Sequence, residues 1–152
     1  MIKPIALVAG EPNSISSEII FKTWKKRKKH SLLPMLVIGS FDLLNKQKRK
    51  LKFNIKIKKV NDDFTLSDFK ENQMIVYNIN YFQNKIFQKI SIKSNNYILK
   101  CFGVAIKLIE REKVIGLVNC PVAKEYLFKN KNLGITEYLA KKSDIVGKEV
   151  ML

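Results

Sequence analysis

The sequence predicts an α/β fold: a mostly parallel sheet with helices on both faces. Three observations carry this. Short apolar runs and helical segments alternate along the chain, the order that builds parallel sheets through crossover helices. Runs such as Ile5 to Ala9 and Ile115 to Val118 are continuously apolar, as strands buried on both faces are. Each is closed by a breaker, Gly10-Glu11-Pro12, Gly39-Ser40 or Cys120-Pro121.

Taken in order, Pro4 to Ala9 is a strand and Gly10 to Ser14 a turn. A helix starts near Ser16 or Ser17, either able to cap it, with Glu18 in its first turn and Ile19, Ile20, Phe21 and Trp24 as its buried face. It closes on Lys25-Lys26-Arg27-Lys28-Lys29, a solvated cationic end that complements the helix dipole. Met35 to Ile38 is the second strand, and Phe41 to about Leu51 the next helix, with Phe41, Leu43 and Leu44 apolar. Phe53, Ile55 and Ile57 alternate with Asn54, Lys56 and Lys58, the pattern of a half-exposed edge strand.

Asn61 to Gln73 is loop-like and Met74 to Tyr77 a strand. Between Asn78 and Ser94, Phe82, Ile86, Phe87 and Ile90 have helical spacing over few turns. A long amphipathic helix from about Asn96 to Glu112 buries Tyr97, Ile98, Cys101, Ala105, Leu108 and Ile109. It feeds Ile115 to Val118, which reads as a central strand ending at Asn119. A helix follows from Pro121 to about Phe128, then a polar loop (129–132). A last helix opens at Gly134-Ile135-Thr136-Glu137, with Thr136 as N-cap and Lys141 and Lys142 at the cationic end. Val150 to Leu152 reads as the opening of another strand.

The chain has 152 residues, enough for one core, so a single α/β domain over 1–152 is the expectation. Its 46% hydrophobic content, with nine Phe and five Tyr, is that of a globular rather than a disordered chain. No apolar run approaches the roughly twenty residues of a membrane helix, and the first one ends too soon for a signal peptide. The chain reads as cytoplasmic, with no membrane partner. Cys101 and Cys120 read as two reduced, packed thiols rather than a disulfide.

A net charge of +16 raises the question of nucleic acid. Of the 29 basic residues, however, 26 are Lys and only Arg27, Arg49 and Arg111 are Arg. Binders of phosphate backbones rely on the bidentate Arg fork, and no nucleic-acid motif is present. A basic nucleic-acid-binding module is therefore kept only as the second alternative. The one histidine, His30, lies in a basic helix end, so no multi-histidine metal site can be made from this chain alone. No Walker loop, Gly-x-Gly-x-x-Gly turn or Ser-His-Asp arrangement occurs.

The candidate site lies where polar residues follow the strand ends, since ligands of open α/β sheets sit outside the carboxyl ends of strands. Asn119 occupies one such end and Gly10 and Glu11 another. Lys124 falls on the first turn after Asn119-Cys120-Pro121 and can serve a phosphate as a point charge. Thr136, with Gly134 and Glu137 around it, can cap its helix and bind an anion there.

These residues resemble a family. Gly10-Glu11-Pro12, then Asn119-Cys120-Pro121-Val122-Ala123-Lys124, then Gly134-Ile135-Thr136-Glu137-Tyr138-Leu139-Ala140 look, in order and spacing, like the 4-hydroxythreonine-4-phosphate dehydrogenases of pyridoxal phosphate (vitamin B6) synthesis. The resemblance runs from about Pro4 to Leu152, roughly the first half of a member. It implies a truncated isocitrate/isopropylmalate dehydrogenase-like fold. It also implies an NAD(P)-dependent oxidation of the phosphorylated substrate's secondary alcohol with loss of carbon dioxide, a divalent metal held by three histidines, and a homodimer.

All three of those histidines lie beyond the position matching Leu152, so neither NAD(P) nor a metal is expected to bind tightly to this chain alone. Little or no turnover is the expectation. Two departures bear on the site. Ser14-Ile15-Ser16-Ser17 replaces the family's Gly-Ile-Gly-Pro, and Ile135 replaces the histidine of Gly-His-Thr-Glu, leaving Thr136 and Lys124 as the substrate contacts carried over. The first alternative is a non-catalytic, diverged fragment that binds a phosphorylated ligand or a partner chain.

Overall fold

Among the described residues of the computed structural model, 2–30, 33–128 and 134–144, five strands form one sheet. They are β1 (Ile5–Val8), β2 (Met35–Gly39), β3 (Ile57–Val60), β4 (Met74–Asn78) and β5 (Leu117–Asn119). The order is β3-β4-β2-β1-β5, and every pairing is parallel. The helices are α1 (Ser16–Lys26), α2 (Phe41–Lys50), α3 (Asn95–Glu110), α4 (Lys124–Leu127) and α5 (Ile135–Lys142), with short 3-10 turns at Leu66–Phe69 and Ile92–Ser94.

The period-two geometry of the strands divides the core into two layers. Ala6, Leu36 and Ile75 lie side by side across three strands and, with Val8, Ile38 and Tyr77, pack against Tyr97, Ile98, Cys101, Phe102 and Ala105 of α3. Leu7, Val37 and Val76 point the other way, toward Ile20, Phe21 and Trp24 of α1 and Leu44 of α2. Both faces of the sheet are thus covered, which is why β1, β2 and β4 tolerate no polar residue until their carboxyl ends. The long α3 spans the sheet because seven of its residues, Tyr97 to Leu108, form one buried stripe.

Several expectations are corrected. The strand at Leu117–Asn119 is not central: its one partner among the described residues is β1, leaving Val118 49% exposed. Its apolar run is short because one neighbour, not two, holds it. The edge strand at the other end is Ile57–Val60, whereas the alternating residues 53–56 lead into it as irregular chain. Residues 79–91 form no helix, and Phe82 is 80% exposed.

Neither serine caps α1 through its side chain: Ile15 is its N-cap residue, and Ile19 faces solvent. The helix expected from Pro121 begins only at Lys124, because the Pro121 carbonyl is drawn toward the β1 turn instead. The polar loop at 129–132 and the strand expected at Val150 to Leu152 lie outside the described residues. No described helix is long and apolar enough to cross a membrane.

Candidate functional site at the carboxyl edge of the sheet

The turns after β1 and β5 form one unit. Gly10 adopts φ +70°, a left-handed conformation natural to glycine, and a Cβ there would stand 2.5 Å from the Pro121 carbonyl oxygen. That same oxygen accepts from the Glu11 N–H at 2.9 Å and the Ser16 hydroxyl at 3.3 Å. Ser16 therefore spends its side chain across the sheet rather than on its own helix. Asn119 is half-buried at the end of β5, level with Val8, and donates through its amide to the Cys120 carbonyl at 3.1 Å. Cys120 packs beneath it, 4% exposed, and burial pushes its thiol up to about 11.

Glu11 turns inward and is 2% exposed. One carboxylate oxygen accepts the Asn13 N–H at 3.1 Å, and the other accepts the Ser94 hydroxyl at 2.7 Å, at the start of α3. None of the four ion pairs among the described residues involves it. Hydrogen bonds and the positive end of a 16-residue helix offset its desolvation instead. Tyr81 lies near enough that the carboxylate's charge adds to burial in raising its phenol. Its ring stacks on Tyr97 at 4.6 Å, and the Tyr97 hydroxyl accepts the Ser40 N–H at 2.9 Å. These contacts make Glu11 a fixed tie between the turn after β1 and the start of α3.

The second group lies on α4 and α5. Lys124 is exposed at the first residue of α4. In α5 the N-cap residue is Gly134, so Thr136 sits inside the first turn with its side chain exposed; it is not the cap the sequence suggested. The Glu137 carboxylate folds over Gly134, where any Cβ would collide with it. Ile135, in the family's histidine position, is buried with Leu127 against the α3 layer. Tyr138 fixes the helix there, 6.0 Å from the Phe102 ring and 5.6 Å from that of Phe128. Gly10, Glu11 and Asn119 are thus brought together, while no hydrogen bond or ion pair among the described residues joins them to Lys124, Gly134, Thr136 or Glu137.

Two groups expected of the family can be tested against these residues. For a divalent metal, no cluster of three His, Cys, Asp or Glu exists among the described residues, and His30 is exposed at the basic end of α1, so the donor set does not fit. For a dinucleotide, four N–H groups of the turn after β1 already have partners: Glu11 donates to the Pro121 carbonyl, Asn13 to the Glu11 carboxylate, Ser14 to the Glu11 carbonyl, and Ser16 to the Ser14 hydroxyl. Serines fill the space that glycines would leave open, and the turn does not fit a pyrophosphate cradle.

Several polar residues that hold this edge were not singled out from the sequence. Gln47 is 1% exposed and donates to the Pro12 carbonyl at 2.7 Å. Its spacing of three and four residues from Leu44 and Leu43 places it on the buried stripe of α2, a signal the surrounding lysines obscured. Asn13 accepts from Gln83 and from the Gln88 N–H, which no local pattern announces.

Comparison with known proteins decides the family. The family model described as pyridoxal phosphate biosynthetic protein PdxA matches residues 31–152. The chain belongs to this family. A PdxA-family relative, the 4-hydroxythreonine-4-phosphate dehydrogenase of Zymomonas mobilis, is 41% identical over 39 residues, 26% of this chain and 12% of the relative. Among solved structures, a 4-hydroxythreonine-4-phosphate dehydrogenase from Burkholderia phymatum superposes with a TM-score of 0.80 at 18% identity, covering 93% of this chain and 43% of that one. The enzyme of the same name from Klebsiella pneumoniae gives 0.71 at 21%, covering 91% and 44%. The fold is that of PdxA-family dehydrogenases, and the chain spans less than half the length of these relatives.

Proposed function

We propose that these residues form one wall of the substrate cleft of an NAD(P)-dependent dehydrogenase that oxidises 4-hydroxythreonine-4-phosphate in pyridoxal phosphate synthesis. The observation that carries this reading is the family match over residues 31–152, which contains both Lys124 and the Gly134-Ile135-Thr136-Glu137 run. Thr136 would donate its hydroxyl to the substrate phosphate, and the Lys124 ammonium would serve it as a point charge. Both side chains are exposed and so free to meet a ligand, which supports the assignment. Glu11, Gly10 and Asn119 would hold the floor of the cleft in place. Binding and orientation are the work of these residues; hydride acceptance by NAD(P) and any metal chemistry are assigned to parts of a homodimeric assembly outside them.

The alternative, a phosphate-binding module without turnover, is favoured by one observation: Ile135 is packed into the core and can neither donate a hydrogen bond nor take a proton. One pair of measurements tests both. Calorimetry with the phosphorylated substrate should show weak binding, reduced about tenfold by Thr136→Val and again by Lys124→Ala, the loss expected for one hydrogen bond and one charge contact. NAD(P) reduction by the purified chain with substrate and divalent metal should be absent. Robust turnover would overturn the division of labour, and absence of any phosphate-dependent binding would overturn the site.

A further inference from the structure

The same edge of the sheet carries a second concavity, at β2 and β4, that the reading above does not use. There α2 and the segment after β4 enclose a groove of about 580 Å³, within the range of small-molecule sites. Three features of it point to one ligand chemistry. Phe82 lines it with a ring that is 80% exposed, a large flat apolar face turned to water. Lys46 and Arg49, three residues apart and hence on one face of α2, line it as well. Neither takes part in an ion pair among the described residues, although Asp42 also lines the groove.

The third feature is Gln83. Its amide nitrogen donates to Asn13 Oδ1 and to the Ile86 carbonyl, both at 3.0 Å, which fixes the orientation of the amide. Its Oε1 is left buried without a partner among the described residues. A stacking face, two cations and a polar side chain held in one orientation are together the complement of a nucleotide's base and phosphates.

We propose that this groove binds a mononucleotide, its base stacked on Phe82 beside Gln83 and its phosphates between Lys46 and Arg49. An apolar peptide would strand the two cations. The groove touches the turn after β1 only through the Gln83–Asn13 hydrogen bond and does not depend on the function proposed above.

The test is calorimetric titration of the whole chain with ADP, adenosine and pyrophosphate at low salt, with folding of every variant checked by circular dichroism. ADP should bind, with adenosine and pyrophosphate each about tenfold weaker or more, since each keeps one half of the contacts. Phe82→Ala should weaken ADP about tenfold and leave pyrophosphate unchanged, while Lys46→Gln with Arg49→Gln should reduce ADP to the level of adenosine. Thr136→Val should leave ADP binding unchanged. The proposal is overturned if ADP binds no better than pyrophosphate, if Phe82→Ala has no effect, if Thr136→Val weakens ADP, or if an oligonucleotide binds where the mononucleotide does not.

Discussion

The Ser94 hydroxyl donates to the Glu11 carboxylate at 2.7 Å across 83 positions of sequence, fastening the turn after β1 to the start of α3. Removing the carboxylate would take the acceptor from the Asn13 N–H, leave the Ser94 hydroxyl only the Ser91 carbonyl at 3.1 Å, and open a gap where a buried side chain stood. Glu11→Ala should therefore destabilise the fold by about 2–4 kcal/mol, seen as a lower urea midpoint. Glu11→Gln, which keeps one acceptor, should cost less. A double-mutant cycle of Glu11→Gln with Ser94→Ala should be non-additive; strict additivity would mean that the two groups do not share this bond.

Gly10→Ala brings a Cβ to 2.5 Å from the Pro121 oxygen and 2.8 Å from that of Cys120, in a backbone conformation that alanine resists. A loss of about 1–3 kcal/mol is expected, with faster amide exchange in the turns after both β1 and β5, because they are one unit. Exchange confined to the β1 turn would show that the clasp is weaker than its geometry.

Alkaline pH should unfold the protein gradually. Burial raises Cys120 from 9.0 to about 11 and Cys101 from 9.0 to about 12; Tyr77 rises from 10.0 to about 12 through burial and its hydrogen bond to Asp62. Each folded value exceeds the unfolded one, and the neutral form is the one the fold prefers. The stability these groups contribute is therefore complete below about pH 9 and is lost as pH rises toward 11 and 12, with Cys120 alone accounting for about 2–3 kcal/mol. Denaturant midpoints across that window check it. At neutral pH both thiols should resist a thiol reagent until the chain unfolds.

Ile135→His places the family's residue back in its position but in a site that is 9% exposed and lined by apolar groups. The expected result is a loss of about 1–3 kcal/mol, read from thermal unfolding, with no turnover gained. A variant that kept full stability would show that α5 can lift away from the α3 layer.

The α/β class, the strand-helix order and most element positions were legible because apolar periodicity reports burial directly. Ala6, Leu36 and Ile75 needed only to be apolar to be placed in the core. Residues 79–91 misled because Phe82, Ile86 and Phe87 have helical spacing without a helix: their segment is tied instead by Gln47, Gln83 and Asn13, through contacts distant in sequence. Serine was ambiguous for a related reason. The hydroxyl of Ser16 could serve its own helix or a neighbour's carbonyl, and only the approach of Pro121 selects the second.

By itself the sequence determined which segments must be buried, that a single histidine cannot make a three-histidine metal site, and which residues resemble the family's substrate contacts. Tertiary structure decided that β5 lies at the sheet edge among the described residues, that Thr136 is not a cap, and that Glu11 is a buried tie to α3. Burial follows from local periodicity, which the chain carries at every position, whereas hydrogen-bond partners 35 to 105 residues apart exist only after the sheet has set its order.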